Sequence, residues 1–249
     1  MRTLALVVEY DGTLFNGFAR QKGVASVAAD LEAALRTLLR HDVSLTCAGR
    51  TDSGVHATGQ VVSCRTSSTV PLWRIPIAGS ALLRDSGIAI VKAVERGAAF
   101  SARRDALART YRYRILNRAA PSALWRARAL HICACLDIEA MRAGALALLG
   151  SHDFSAFCAR LGPGALAVRT IESIRIARHG DFIDCAITAD SFLHRMVRIV
   201  VGTLIEVGRA LRPADDIGDI LVARDRRRAG FTAPPHGLYL THVRYDDPV

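Results

Sequence analysis

From Tyr111 to Ile115 the stretch RTYRYRIL (Arg109–Leu116) alternates strictly. Tyr111, Tyr113 and Ile115 fall on one side of an extended chain, Arg112 and Arg114 on the other. Such a pattern reads as a half-buried strand with one face on a core and one basic face, which calls for a layered domain. Ser101–Arg109, the charged stretch just before it, reads as a connection between two halves, residues 1–103 and 104–249.

In the first half, Thr3–Glu9 (TLALVVE) is strand-like and runs into the turn signal Asp11-Gly12. Val27, Leu31, Leu35 and Leu38 recur at helical spacing behind Ser26, an N-cap residue, so the pattern predicts a helix over 26–40. Strands are expected at Val43–Ala48, Gly59–Cys64 and Ile88–Val94, and a second helix within Pro71–Arg84. In the second half Asp137 caps a helix reaching Leu149, and Thr170–Ala177 and Phe182–Ala189 are strands joined at His179-Gly180-Asp181. Helices follow at Phe192–Gly208 and Ala214–Ala223, then a last strand at Tyr239–Tyr245. The fold class expected is α+β: two similar halves, mainly antiparallel sheets with helices on one side, and a basic active-site cleft between them.

The formal net charge of +10 fits a polyanionic partner, nucleic acid ahead of a membrane surface. Genome base composition offers a second account, since Lys22 and Lys92 are the only lysines. The six cysteines (47, 64, 133, 135, 158 and 185) are scattered through apolar segments and read as reduced core residues of a cytoplasmic protein, with no finger-like spacing for zinc. Met1–Val8 is too short for a secretory signal, and no apolar run reaches the roughly 18 residues of a membrane span.

The loop GRTDSGVH (49–56) concentrates the chemistry. Asp52 sits between Gly49 and Gly54, which allow close backbone approach, and two residues after Arg50, which could hold the carboxylate ionised or grip a phosphate. Locally it is equally an aspartate that closes a turn on nearby amides. Asp52-Ser53-Gly54 also matches the triplet of aspartic proteases, but those enzymes need two such aspartates sharing one proton. This chain has a single copy with a cation beside it, which argues against that chemistry.

Tyr10-Asp11-Gly12, Gly17-Phe18, Gly49–Ala57, Phe100–Arg103, Arg109–Tyr113 and Phe192–Arg198 (FLHRMVR) occur in one order. Together these blocks resemble the TruA family of tRNA pseudouridine synthases, from the first strand to the end of the chain. The resemblance implies an isomerase that converts uridine to pseudouridine at positions 38 to 40 of the tRNA anticodon stem-loop. It also implies no cofactor and no metal, and a homodimer whose tRNA engages both subunits. The absence of a Gly-x-x-x-x-Gly-Lys-Ser/Thr loop agrees with this.

By the same resemblance Asp52 is the catalytic aspartate, nucleophile or base, and Tyr111 the active-site tyrosine whose ring packs on a flipped uracil. Without it, Tyr111 reads as a core-facing strand residue. Arg198 matches the arginine expected to pair with that aspartate. On an apolar helix whose packed side is Phe192, Met196, Ile199, Val200 and Thr203, it needs an anionic partner unless it reaches solvent. Arg50 reads as a gripper of the tRNA backbone or the flipped nucleotide. Arg20, Lys22, Arg103, Arg104, Arg109, Arg112 and Arg195 are candidates for phosphate contacts, His56 for local packing, and Arg226-Arg227-Arg228 for a solvated turn. Ala19, Arg195 and Ile199 depart from the family pattern, where Gln, His and Asn are common. A non-catalytic RNA-binding protein would share fold and charge, and only a search for pseudouridine separates the two.

Overall fold

In the computed structural model, which describes residues 1–162, 164 and 166–249, the first strand-like run is β1 (Arg2–Tyr10). The helix behind Ser26 is α1 (Val27–Leu39), whose Ser26 Oγ accepts a hydrogen bond from Ala29 N and whose Val27, Leu31, Leu35 and Leu39 are buried. The next strands are β2 (Thr46–Cys47) and β3 (His56–Thr66), followed by α2 (Arg74–Leu82) and β4 (Ile88–Arg96). Beyond them lie β5 (Ala108–Asn117), β6 (Leu130–Ile132), α3 (Ile138–Leu146), β7 (Gly150–Asp153), β8 (Val168–His179) and β9 (Phe182–Ala189). Two helices, α4 (Met196–Gly208) and α5 (Asp216–Ala223), precede the last strand, β10 (Leu238–Arg244). These elements form a mixed α and β fold with mainly antiparallel pairing.

The chain divides into two units, Met1–Arg109 with Tyr239–Val249, and Thr110–Leu238. The first boundary lies six residues beyond the expected 103, and the last strand, expected in the second half, belongs to the first. The reason is a pairing without local signature: β10 runs parallel to β3, Tyr239 opposite His56 and Leu240 opposite Ala57. In the first unit the strands follow the order β4-β1-β3-β10, with β2 also on β3. β1 is antiparallel to both neighbours, β3 and β4. Helix α2 packs on α1 and on β4.

In the second unit the order is β5-β9-β8-β7, with β6 parallel to β5. β8 and β9 form the expected hairpin, His179 opposite Phe182. Every residue of α4 except Glu206 is buried, as expected of a helix apolar nearly all round. Its Gly202 touches the carbonyl of Phe231, where a Cβ would collide. The close approach is tied by Gly230 N to Thr203 Oγ1 at 2.9 Å and Ala233 N to Arg198 O at 3.0 Å.

Three further expectations are corrected. Helix α4 starts at Met196, not Phe192, because Arg195 takes a left-handed φ of 61° at the N-cap and Phe192–Arg195 stay outside the helix. The strand expected over Val43–Ala48 shrinks to Thr46–Cys47. Cys133 and Cys135 are exposed just past the three-residue β6, whereas Cys64, Cys158 and Cys185 are buried. No helix among the described residues is long and apolar enough to cross a membrane.

Candidate active site

The loop that carries Asp52 joins β2 to β3, and a second loop, 11–18, is laid against it. The second loop opens with one 3-10 turn, Gly12–Leu14, whose Thr13 N donates to Asp11 Oδ1 at 3.0 Å. Two glycines make the contact possible. A Cβ on Gly12 would collide with the carbonyl of Val55, and one on Gly17, at φ +99°, would lie 2.8 Å from Thr51 O. Only glycine meets both requirements at position 17, left-handed backbone and close approach. The loops are tied by Phe18 N to Thr51 O at 3.1 Å, Gly54 N to Phe15 O at 3.3 Å and Ser53 Oγ to Phe15 O at 3.2 Å.

Beneath this layer lies a buried polar group. Gln60 on β3 donates through Nε2 to Gly49 O at 2.7 Å and to the Tyr10 hydroxyl at 3.4 Å. The Tyr10 hydroxyl is 2.8 Å from Thr51 Oγ1. Burial drives the Tyr10 phenol far above its ordinary pKa, so it stays protonated through the working pH range. His56 closes the loop on the other side: its Nδ1 accepts from Gly12 N at 3.0 Å and its ring stacks on Tyr239 at 4.8 Å. The ring therefore packs locally, with Asp11 Oδ1 also 3.2 Å from its Nδ1. Asp52 itself is half-buried and Arg50 exposed on the same loop. Arg50 is close enough to Cys47 to lower its thiol pKa, though burial outweighs it and the net shift is upward.

In the second unit Tyr111 on β5 is buried, with the Phe192 ring edge-on at 5.1 Å and 86°. Phe192 can meet it because residues 192–195 are not helical. Arg198, 9% exposed, lies in the first turn of α4, and its Nε donates to Ala233 O at 2.7 Å. Its charge also favours ionisation of the neighbouring Tyr113 phenol, although burial dominates and raises that pKa. Tyr113 is fully buried, and its hydroxyl donates to Pro234 O at 2.8 Å. The same turn of chain, residues 233–234, thus receives both Arg198 and Tyr113.

A family model described as tRNA pseudouridine synthase matches residues 145–246. The tRNA pseudouridine synthase A of Pseudoalteromonas atlantica is 43% identical over 247 residues, 98% of this chain and 92% of the relative. That of Acetivibrio thermocellus is 43% identical over 245 residues, 98% of this chain and 100% of the relative. That of a Methylobacterium strain reaches 45% over 243 residues, 98% and 97%. This chain belongs to the tRNA pseudouridine synthase A family. Among solved structures, one titled "Crystal Structure of a Cbf5-Nop10-Gar1 Complex" aligns over 97% of this chain and 50% of that one. Its TM-score of 0.40 and identity of 10% are too low to bear on fold or site.

Within this member of the family, Asp52 and Arg50 belong to the first unit, Tyr111 and Arg198 to the second. Arg109, read from sequence as a phosphate contact, is instead a strut. Its guanidinium donates to Ala48 O at 3.0 and 3.2 Å, to Ala106 O at 2.9 Å and to Arg103 O at 2.8 Å, pinning the segment that enters the Asp52 loop. Arg227 chelates Asp225 in an exposed turn and pulls that carboxyl down to about 2. The sequence reading overlooked Tyr10 and Gln60. A glutamine inside the strand run GQVVSC is the signal that could have exposed the second, since a polar side chain on a buried strand must have partners. Among the described residues no group of three or more His, Cys, Asp or Glu side chains could hold a metal ion.

Proposed function

We propose that this chain isomerises uridine to pseudouridine at positions 38 to 40 of the tRNA anticodon stem-loop, with Asp52 as the catalytic nucleophile or base and no cofactor. The reaction breaks the N1–C1′ bond, forms a C5–C1′ bond, removes the proton from C5 and leaves one on N1. Atoms and electrons balance within the nucleoside, so no oxidant, reductant or second substrate is required. What must be supplied is a group that starts the exchange and a site that holds the base while it turns.

One observation carries the reading: in a member of this family, the single aspartate of GRTDSGVH stands on a loop braced from both sides by backbone contacts that only glycine permits. Such bracing holds a reacting group in place without motion. Tyr111 packs its ring on the flipped uracil, held edge-on by Phe192, and Arg198 works with Asp52 as its counter-charge. Arg50 grips the tRNA backbone or the flipped nucleotide, and the net charge of +10 favours a polyanion. The protein acts as a homodimer in the cytoplasm, with tRNA engaging both subunits.

Mapping pseudouridine at positions 38 to 40 in tRNA from cells with and without the protein tests the reading directly. The modification should vanish with the protein, return with the wild-type chain, and stay absent with Asp52→Ala, which still folds and binds tRNA. Pseudouridine formed at the wild-type rate by Asp52→Ala would overturn the role of Asp52. An unchanged map in cells without the protein would overturn the activity, leaving an RNA-binding role.

A further inference from the structure

Gln60 is fully buried on β3, three residues beyond Ala57, the nearer of the two positions paired with β10, yet its Oε1 has no hydrogen-bond partner among the described residues. Leaving a buried amide oxygen unmet costs about 1–3 kcal/mol, so an alkyl side chain there would satisfy the core better. The Nε2 end accounts for the glutamine: its two N–H groups go to Gly49 O and the Tyr10 hydroxyl. The Tyr10 hydroxyl in turn shares a hydrogen bond with Thr51 Oγ1 at 2.8 Å. The chain of bonds thus ends on residues 49 and 51, either side of Arg50 and immediately before Asp52.

The backbone is shaped to deliver these side chains. Val8 pairs with Gln60 but Tyr10 with Ala57, so two residues of β1 span three of β3. This bulge breaks the simple alternation at the point where β1 ends and re-aims the side chains beside it, the usual service of a bulge next to a functional loop. The three side chains are shielded from water, Tyr10 at 4% exposure and Thr51 at 7%, where hydrogen bonds are electrostatically stronger than in solvent.

We propose that Gln60 and Tyr10 are positioning residues: through Gly49 O and the Thr51 hydroxyl they fix the loop that presents Asp52 to the substrate. The inference rests on the proposed role of Asp52. Tyr10→Phe and Thr51→Val each delete one hydroxyl with little change of shape, and Gln60→Met removes both amide donors. For Tyr10→Phe and Thr51→Val, kcat for pseudouridine formation should fall about tenfold with KM for tRNA within about twofold, the sign of an interaction used in the transition state. Thr51→Ser should regain most of what Thr51→Val loses. The double variant should be scarcely worse than either single, because the two hydroxyls act as one unit.

Amide hydrogen exchange across residues 48–55 supplies a readout independent of turnover, and Gln60→Met and Tyr10→Phe should both accelerate it at least about tenfold. Faster exchange with kcat within twofold of wild type would overturn the proposal, as would slowed turnover with unchanged exchange. If the wild-type chain makes no pseudouridine, the reading of Asp52 fails, and accelerated exchange alone then shows that the network still holds the loop.

Discussion

Asp52 and Arg198 each lie beside a place where two backbones touch through a glycine, but the two seams are closed by different means. At the first, Gly12 and Gly17 admit loop 11–18, and the ties run through backbone amides and the side chains of Ser53, Thr51, Tyr10 and Gln60. At the second, Gly202 admits residues 231–233, and Arg198 is itself a tie, bonding Ala233 through both its side chain and its carbonyl. A functional residue held by others can be replaced without loosening its surroundings. One that serves as its own strut cannot, so activity and stability should separate in the first unit and move together in the second.

The sharpest test of that contrast is Asp52→Ala, which should lower turnover by at least about 10³-fold while the melting temperature stays within a degree or two of wild type. Arg198→Ala should lose activity by about 10²-fold and also about 2–3 kcal/mol of stability, since it orphans the Ala233 carbonyl and empties a buried site. Loss of activity without loss of stability in Arg198→Ala would erase the contrast. Gly202→Ala drives a methyl into the Phe231 carbonyl and should cost about 3 kcal/mol, a fall of roughly 6–12 °C for a chain of this size by calorimetry. Tyr111→Phe keeps the ring and its edge contact with Phe192 and should slow turnover by no more than about tenfold. A larger loss would assign the hydroxyl a bond to the reacting groups.

The smallest effect concerns pH and should be common to both units. Burial pushes the Cys64 thiol from 9.0 up to about 11 and the Cys185 thiol up to about 12. Above pH 9 the unfolded chain releases these protons while the folded chain keeps them, so the folded state binds more protons and stability declines as pH rises. Thermal unfolding followed by circular dichroism should show this contribution intact below pH 9 and shrinking between 9 and 12. The slope should be shallower in Cys64→Ala and in Cys185→Ala.

Local patterns carried most of the secondary structure. The alternation from Tyr111 to Ile115, the Ser26 cap with its leucines, and the Gly180 hairpin each depend on neighbours in sequence, and each element appears where expected. What was hidden depends on distant chain. The short strands β6 and β7 gain their form from pairing with β5 and β8, not from composition. The first turn expected of α4 is lost because Arg195 adopts φ 61°, a conformation that residue type does not announce. The candidate site was legible as residue types, since Asp52, Tyr111 and Arg198 stand in recognisable blocks. Its bracing was not, because Gly12, Gly17, Tyr10 and Gln60 act on residues about 35 to 45 positions away or are met only after the strands pair. Arg109 shows the reverse error, a cation assigned to phosphate that three backbone carbonyls had already claimed.

The parallel pairing of β10 with β3 has a consequence for the order of assembly. A ribosome delivers residues 1–109 first, yet the sheet beside the Asp52 loop lacks a strand until residues 239–244 emerge, and Tyr239 must arrive before His56 has its stacking partner. Residues 110–238 form a continuous stretch that can condense as soon as it is made. The segment carrying Asp52, translated early, is therefore among the last to be completed, and a nascent chain in which residues 239–244 have not yet emerged would hold Asp52 without the finished sheet beside it.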